Sequence, residues 1–215
     1  MNEIVLIDKP VGWTSFDVVA KMRNELKKKT GKKVKIGHAG TLDPLASGLL
    51  IVLIGDATKK QFEFMKLDKT YQVEAKLGEV SSTGDEEGKK EFVSNLIPTE
   101  EQIKQVIKKF TGEIMQKPPV FSAIKINGKR AYELARSGKQ VKLKPRAVKI
   151  YEFDDVIYKY PNLSFTVSVS SGTYIRSLVE DIGDYIKTGA YTKSLRRISI
   201  GKYRVEDAKP INEKY

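Results

Sequence analysis

Six consecutive apolar residues, Leu49 to Ile54, set the first constraint on this chain. A run without polar alternation offers water neither face, so it reads as a buried strand. The stretch that feeds it, Gly37-His38-Ala39-Gly40-Thr41-Leu42-Asp43-Pro44-Leu45-Ala46-Ser47-Gly48, is of a different kind. Its glycines permit tight turns and close backbone approach, which a ligand-lined loop can use. Pro44 disfavours the helical region for the residue before it, so Asp43 is expected in an extended or turn conformation. Asp43 is also the one carboxylate between Glu25 and Asp56, and it lies between Leu42 and Leu45. Taken by itself, the pattern fits an aspartate capping its own turn better than a reactive carboxylate.

Around that centre, strand and helix periodicities alternate. Ile4 to Ile7 predicts a short strand. Thr14 and Asp17 have the spacing of a capping box, and Val19, Met22 and Leu26 give a helical stripe that ends near Gly31. Asp56 is placed to cap a helix containing Phe62 and Met65. Tyr71, Val73, Ala75 and Leu77 alternate as in a half-buried strand, which puts Tyr71 on the inward face. Ser81 to Lys90, with Asp85, Glu86 and Glu87, reads as a solvated loop. Thr99 and Gln102 frame a second capping box ahead of Ile103, Val106, Ile107 and Phe110, with Gly112 as the stop. Lys117-Pro118-Pro119 ends the regular pattern. Ser122 to Ile126 with Asn127-Gly128 carries a hairpin signal, and Ala131 to Arg136 a short helix. Val148 and Ile150, then Leu163, Phe165, Val167 and Val169, mark two strands joined at Pro161-Asn162. Ile175, Leu178, Val179, Ile182 and Ile186 define the stripe of a last helix, with Arg176 in its first turn and off the stripe. A cation there is mildly unfavourable, so Arg176 is expected to be exposed or to have an acidic partner. A basic strand pattern surrounds Leu195-Arg196-Arg197. The sum is an α+β fold with a mixed, largely antiparallel sheet flanked by helices.

The charge narrows the partners. Among 215 residues there are 39 Lys and Arg against 27 Asp and Glu, a formal charge of +12. Such a surplus favours a polyanion over a neutral metabolite. It falls in two tracts: residues 21–35 hold eight Lys/Arg against Glu25, and residues 125–149 hold nine against Glu133. With no cysteine, disulfides and thiolate zinc sites are excluded. His38 is the one imidazole, and no metal site is expected. The N-terminus lacks a signal-peptide pattern and no apolar run has membrane-spanning length, so a cytoplasmic protein is expected.

Read together, the motifs resemble those of the tRNA pseudouridine-55 synthases, the TruB-type family. The matching stretches are Asp8-Lys9-Pro10-Val11-Gly12-Trp13-Thr14-Ser15, the Gly37 to Gly48 loop, Lys69-Thr70-Tyr71, and Thr83-Gly84-Asp85 with Gly88. Lys117-Pro118-Pro119 through Ser122-Ala123, Gly128-Lys129-Arg130-Ala131-Tyr132-Glu133, and Gly172 to Leu178 with Asp181-Ile182-Gly183 complete them.

The resemblance implies the pseudouridine synthase catalytic fold, isomerisation of a uridine in the T arm of tRNA with base flipping, no cofactor, and a monomer. Asp43 corresponds to the family's essential aspartate, Arg176 to the residue that ion-pairs with it, and Tyr71 to the tyrosine that stacks on the flipped uracil. His38 corresponds to a histidine that contacts RNA, Leu195 to an apolar pocket residue, and Lys9 and Tyr174 to supporting positions. A basic insertion over about 112–149, including Lys142, Lys144, Arg146 and Lys149, corresponds to an RNA clamp. The whole of 1–215 is expected to be one catalytic domain, without the small C-terminal RNA-binding domain many members carry. The same basic tracts also suit a non-catalytic RNA-binding or RNA-folding protein. A two-carboxylate hydrolase is a weaker reading, because its second acid would be Asp85 in a polar loop.

Overall fold

A computed structural model describes residues 2–122, 124–126, 128–138, 141 and 143–211, without the side chains of 125, 126, 130, 132 and 136. The Lys142 assignment lies outside the described residues, as does Asn127 of the expected hairpin turn. In chain order the elements are β1 (Glu3–Lys9), α1 (Ser15–Thr30), β2 (Ile36–His38), β3 (Ala46–Ile54), α2 (Gln61–Met65), β4 (Lys69–Leu77), β5 (Glu79–Ser81), β6 (Lys90–Phe92) and α3 (Glu100–Phe110). There follow β7 (Gly112–Gln116), β8 (Lys125–Ile126), β9 (Lys129–Arg130), α4 (Ala131–Arg136), β10 (Arg146–Lys159), β11 (Asn162–Val169), α5 (Ile175–Tyr185), β12 (Ala190–Ile200), β13 (Tyr203–Arg204) and β14 (Lys209–Pro210). The described pairings are mixed and mostly antiparallel, as expected: β1 with β3, β2 with β3 and β7 with β10 run antiparallel, whereas β12 with β3 runs parallel.

Contacts divide the chain into two compact units, Met1–Val73, Thr166–Ser171 and Ser194–Tyr215 forming one, and Glu74–Phe165 with Gly172–Lys193 the other. The first unit is built on β3, whose residues from Leu49 to Leu53 are fully buried. Leu49, Ile51 and Leu53 pack with Ala39, Phe64, Ile200 and Val205 on one face. On the other face, Ile54 lines a cleft with Met22 and Leu26 of α1. Burying a Leu or Ile side chain contributes roughly 1.5–3 kcal/mol, so this strand organises the unit. β1 covers one edge of β3 from Glu3 opposite Ile54 to Lys9 opposite Gly48. The other edge is shared: β2 pairs with Val52 to Ile54, and β12 pairs with Ala46 to Gly48.

α1 begins and ends as the sequence dictates. Thr14 and Asp17 form a reciprocal capping box, and Gly31 closes the helix at φ 71°. The α3 box of Thr99 and Gln102 is likewise formed. Asp56 does not cap a helix. It lies inside a 3₁₀ turn, Gly55–Lys60, where it pairs with Lys59 and holds Asn2, while α2 starts at Gln61 without a side-chain cap.

In the second unit, α3 packs against α5 and β10, and β10 pairs with β7 from Arg146 opposite Gln116 to Ile150 opposite Gly112. β7 has no counterpart among the strands expected from the sequence. It crosses only half-buried and exposed positions until Gln116, so no apolar run marks it. The segment after β5 also departs from expectation. It turns back into β6, and Asp85 at its tip is 4% exposed instead of solvated. Arg176, expected off the buried stripe of α5, is 6% exposed, because the first turn of that helix is buried on all sides from Ile175 to Val179.

Candidate active site

The Asp43 loop spans the gap on the shared edge of β3. It leaves β2 after His38, and its first amide, Ala39 N–H, still donates to Ile51 O at 2.9 Å. It returns at Ala46, whose N–H donates to Asp43 O at 3.0 Å, so Asp43 opens a tight turn, half-buried, ahead of Pro44. Three supports hold it. Ser15 Oγ accepts from Leu42 N–H at 2.8 Å and donates to Leu42 O at 3.1 Å. Gly12 N–H donates to Pro44 O at 2.8 Å. From inside, the Arg197 guanidinium donates to Leu49 O at 2.8 Å, Gly40 O at 3.2 Å and Thr41 O at 3.5 Å.

Arg197 is 1% exposed and, among the described residues, pairs with no carboxylate. A buried cation is tolerated only if hydrogen bonds replace its hydration, and here backbone carbonyls do so. It takes the Leu49 carbonyl in the gap between the pairings of β12 and β2. Burial, with the positive charge of Arg197 next in importance, lowers the ammonium of buried Lys69 to about 8, partly offset by Asp68. Lys69 in turn donates to Met65 O at 2.6 Å and ties α2 to the start of β4.

Four further predicted residues share this unit with Asp43. Leu195 is opposite Ala46 in the β12 ladder, three positions past Asp43, and is 8% exposed. His38 ends β2 opposite Val52, half-buried, with its carbonyl receiving the Gln61 amide at 2.8 Å. Tyr71 lies on the inward face of β4 and is 8% exposed. Lys9 is fully buried and donates to Pro10 O at 2.9 Å and Trp13 O at 2.6 Å, so it braces the turn that carries Gly12 to Pro44.

The remaining residues lie in the second unit. Arg176 Nη1 donates to Thr83 O and Nη2 to Phe121 O, both at 2.9 Å, and Nη1 lies 3.4 Å from Asp85 Oδ2. Asp85 also accepts from Thr83 Oγ1 and, at 3.1 Å, from Glu87 N–H. Asp85 thus belongs to a buried cation network, which removes the hydrolase reading that needed it as a free second acid. Tyr174 is the N-cap of α5, and both its peptide groups are held by buried Gln116: the Gln116 amide donates to Tyr174 O at 3.0 Å, and Tyr174 N–H donates back at 2.8 Å. Lys144, Arg146 and Lys149 are exposed, and Lys149 lies 5.3 Å from the Tyr151 ring. Sequence reasoning missed Arg197, Gln116 and the burial of Asp85. The one available signal was the period of two that places Arg197 between Leu195 and Ser199 on an inward face.

No group of three or more acidic or His side chains suited to a metal occurs among the described residues, and no described helix is long and apolar enough to cross a membrane.

Solved structures share the fold. One chain of a Cbf5-Nop10-Gar1 complex matches at TM-score 0.71 and 30% identity, over 96% of this chain and 51% of that one. A chain of an H/ACA RNP bound to a substrate RNA containing 2′-deoxyuridine matches at TM-score 0.70 and 29% identity, over 97% and 50%. This chain therefore spans about half the length of each. Residues 27–175 match the family model described as TruB family pseudouridylate synthase (N terminal domain). Fold and sequence together define a pseudouridine synthase. The chain belongs to the TruB family. It is 45% identical to the tRNA pseudouridine synthase B of Endomicrobium trichonymphae over 97% of this chain and 89% of that protein. It is 44% identical to that of Clostridium novyi (strain NT) over 99% and 72%.

Proposed function

We propose that this chain isomerises uridine to pseudouridine in the T loop of tRNA, at position 55, as a cytoplasmic monomer without a cofactor and with both units acting as one catalytic domain. The atoms of substrate and product are the same. The N1–C1′ bond breaks, the base turns, C5 bonds to C1′, and the proton lost from C5 is balanced by one gained at N1. Nothing in that balance calls for a metal, a redox partner or a co-substrate.

Asp43 starts the glycosidic cleavage, which needs an ionised carboxylate whether it attacks the sugar, attacks the base or removes a sugar proton. Tyr71 stacks on the flipped uracil, and Leu195 lines the pocket. Arg176 supplies a fixed positive charge, while His38, Lys9 and Tyr174 hold substrate or pocket. Lys144, Arg146 and Lys149, with Lys142, grip phosphates. The observation that carries this reading is Asp43 on a loop pinned by Gly12, Ser15 and Arg197, in a chain of a pseudouridine synthase family. A loop whose backbone is braced on both sides of Asp43 supports that role, because a catalytic group works best on a scaffold that does not move.

The test is to incubate purified protein with a T-arm transcript and map pseudouridine, with Asp43→Asn in parallel. Conversion by the wild type and retained RNA affinity without turnover in Asp43→Asn are expected. A transcript that binds but stays unmodified would favour the non-catalytic RNA-binding alternative, and multiple turnover by Asp43→Asn would remove Asp43 from the reaction.

A further inference from the structure

Phe16 is 64% exposed at the second position of α1; one exposed ring is ordinary by itself, and what sets this one apart is its surroundings. The helix buries Val18, Val19, Met22 and Leu26. Phe16, Ala20, Arg23 and Lys27 recur at helical spacing on a different flank, where Phe16, Arg23 and Lys27 are all exposed. By the rise of a helix, Arg23 and Lys27 stand about 10 and 16 Å along the axis from Phe16. The stripe therefore reads as one flat apolar ring followed by two cations.

Its position relative to the Asp43 loop is fixed within one unit. Ser15, the residue before Phe16, makes both hydrogen bonds to Leu42, the residue before Asp43. Further along, Arg23 Nη2 donates to Ile36 O at 3.5 Å, and Ile36 opens the strand that ends at His38 and runs into the loop. The stripe thus borders β2 and starts beside the loop. The helix N-terminus is not itself an anion site. Thr14 Oγ1 already accepts from Asp17 N–H at 3.0 Å, and the Asp17 carboxylate accepts from Thr14 N–H at 2.9 Å. What this corner offers is a ring face, with charge further along.

We propose that Phe16 is a stacking platform for an unpaired base that neighbours the target uridine, and that Arg23 and Lys27 hold phosphates of the same strand. The proposal rests on the RNA-modifying reading above. Ring plus cations is the combination that grips single-stranded nucleic acid, because every base has a π-face and every nucleotide a phosphate. A protein partner for Phe16 fits less well, since its exposed neighbours on the stripe are cations instead of further apolar residues.

The test uses full-length Asp43→Asn protein, so that bound RNA is not converted, with a T-arm hairpin as probe. Adding Phe16→Ala is expected to raise the dissociation constant at least about fivefold, the low end of what a lost base stack removes. The slope of log affinity against log salt should not change, because the ring carries no charge. Replacing Arg23 and Lys27 by Gln should instead lower that slope by roughly 1.4–1.8 for two phosphate contacts. Trp13 is the single tryptophan, so Phe16→Trp in a Trp13→Phe background places the only indole at position 16. Its emission should be quenched as RNA saturates the protein.

Phe16→Ala binding within twofold of its parent, or unchanged emission at position 16, overturns the platform; a protein-facing Phe16 would give this result. If wild-type protein still converts the hairpin, the activity stands without the platform. A wild type that does not bind the hairpin overturns the activity reading, and the platform with it.

Discussion

Arg176 and Asp85 form a buried ion pair, Nη1 to Oδ2 at 3.4 Å, with both side chains 6% exposed. The oxygens that hold the guanidinium include this carboxylate and the carbonyls of Thr83 and Phe121, reached from both terminal nitrogens. Only a planar fork reaches them together. Arg176→Lys is expected to lower kcat/KM at least tenfold, about 1.4 kcal/mol of transition-state stabilisation. Asp85→Asn leaves the cation buried with less compensation and is expected to reduce folding stability by about 1–3 kcal/mol. Turnover of a T-arm hairpin and urea unfolding would check both. Wild-type turnover by Arg176→Lys would mean that its geometry does not matter to the reaction.

Gly48 and Arg197 meet in the β3–β12 ladder. A Cβ on Gly48 would lie 2.3 Å from the Arg197 carbonyl oxygen, and Gly48 has φ 101°. Neither backbone can give way, so Gly48→Ala is expected to lose roughly 1–3 kcal/mol from backbone strain, before the clash is counted. Arg197→Met tests the guanidinium separately, leaving the Leu49, Gly40 and Thr41 carbonyls without their donor. Faster amide exchange across 39–46 and lower kcat with RNA affinity retained are expected. Unchanged exchange would show that Ser15 and Gly12 suffice to hold the loop.

What was legible in the sequence follows from the range of each interaction. β3, the two capping boxes and the Gly31 stop depend on neighbours a few residues away, and local pattern finds them. Asp43 stood out through composition and Pro44, although a turn-capping aspartate is the better reading of that stretch alone, and the supports of its loop, Gly12, Ser15 and Arg197, come from distant parts of the chain. Arg197 makes its hydrogen bonds to residues 148 to 157 positions earlier, so its partners cannot be read from its own surroundings, although the period of two of its strand hints at an inward face. Asp85 looked solvated because its neighbours are polar, yet its partner Arg176 arrives from another part of the chain. Buried polar residues whose partners are distant are the ones local reasoning places on the surface.

Lys144, Arg146 and Lys149 test the RNA-clamping assignment through salt. If each neutralises one phosphate, replacing all three with Gln should reduce the slope of log affinity against log salt by about 2 to 3. Lys149 is opposite Glu113 in the β10–β7 ladder, so its share should be the smallest. A titration of hairpin affinity across salt concentrations measures this, and an unchanged slope would place the tract away from the RNA.

Glu180 gives the fold a pH dependence whose sign can be worked out. Burial raises its carboxyl from 4.5 to about 7, against the pull of Arg176 and with help from Asp181, Asp184 and Asp85. Asp181 is raised from 3.8 to about 6, first by burial and then by Asp184. Between about pH 4.5 and 7 the folded chain keeps a proton on Glu180 that the unfolded chain has released, so the folded state binds more protons and stability falls as pH rises. Asp181 adds the same trend over a lower window. Above pH 7 the Glu180 contribution is complete and the curve should level. Glu180→Gln removes the ionisation, so its melting temperature should fall less than that of the wild type from pH 5 to 7 and exceed it at pH 8. Because Glu180 Oε1 would lie 2.6 Å from a Cβ at Gly84, the near-isosteric Gln is the suitable probe of that tight space. Parallel melting curves for the two proteins from pH 5 to 8 would show that Glu180 ionises in the folded chain as it does in the unfolded one.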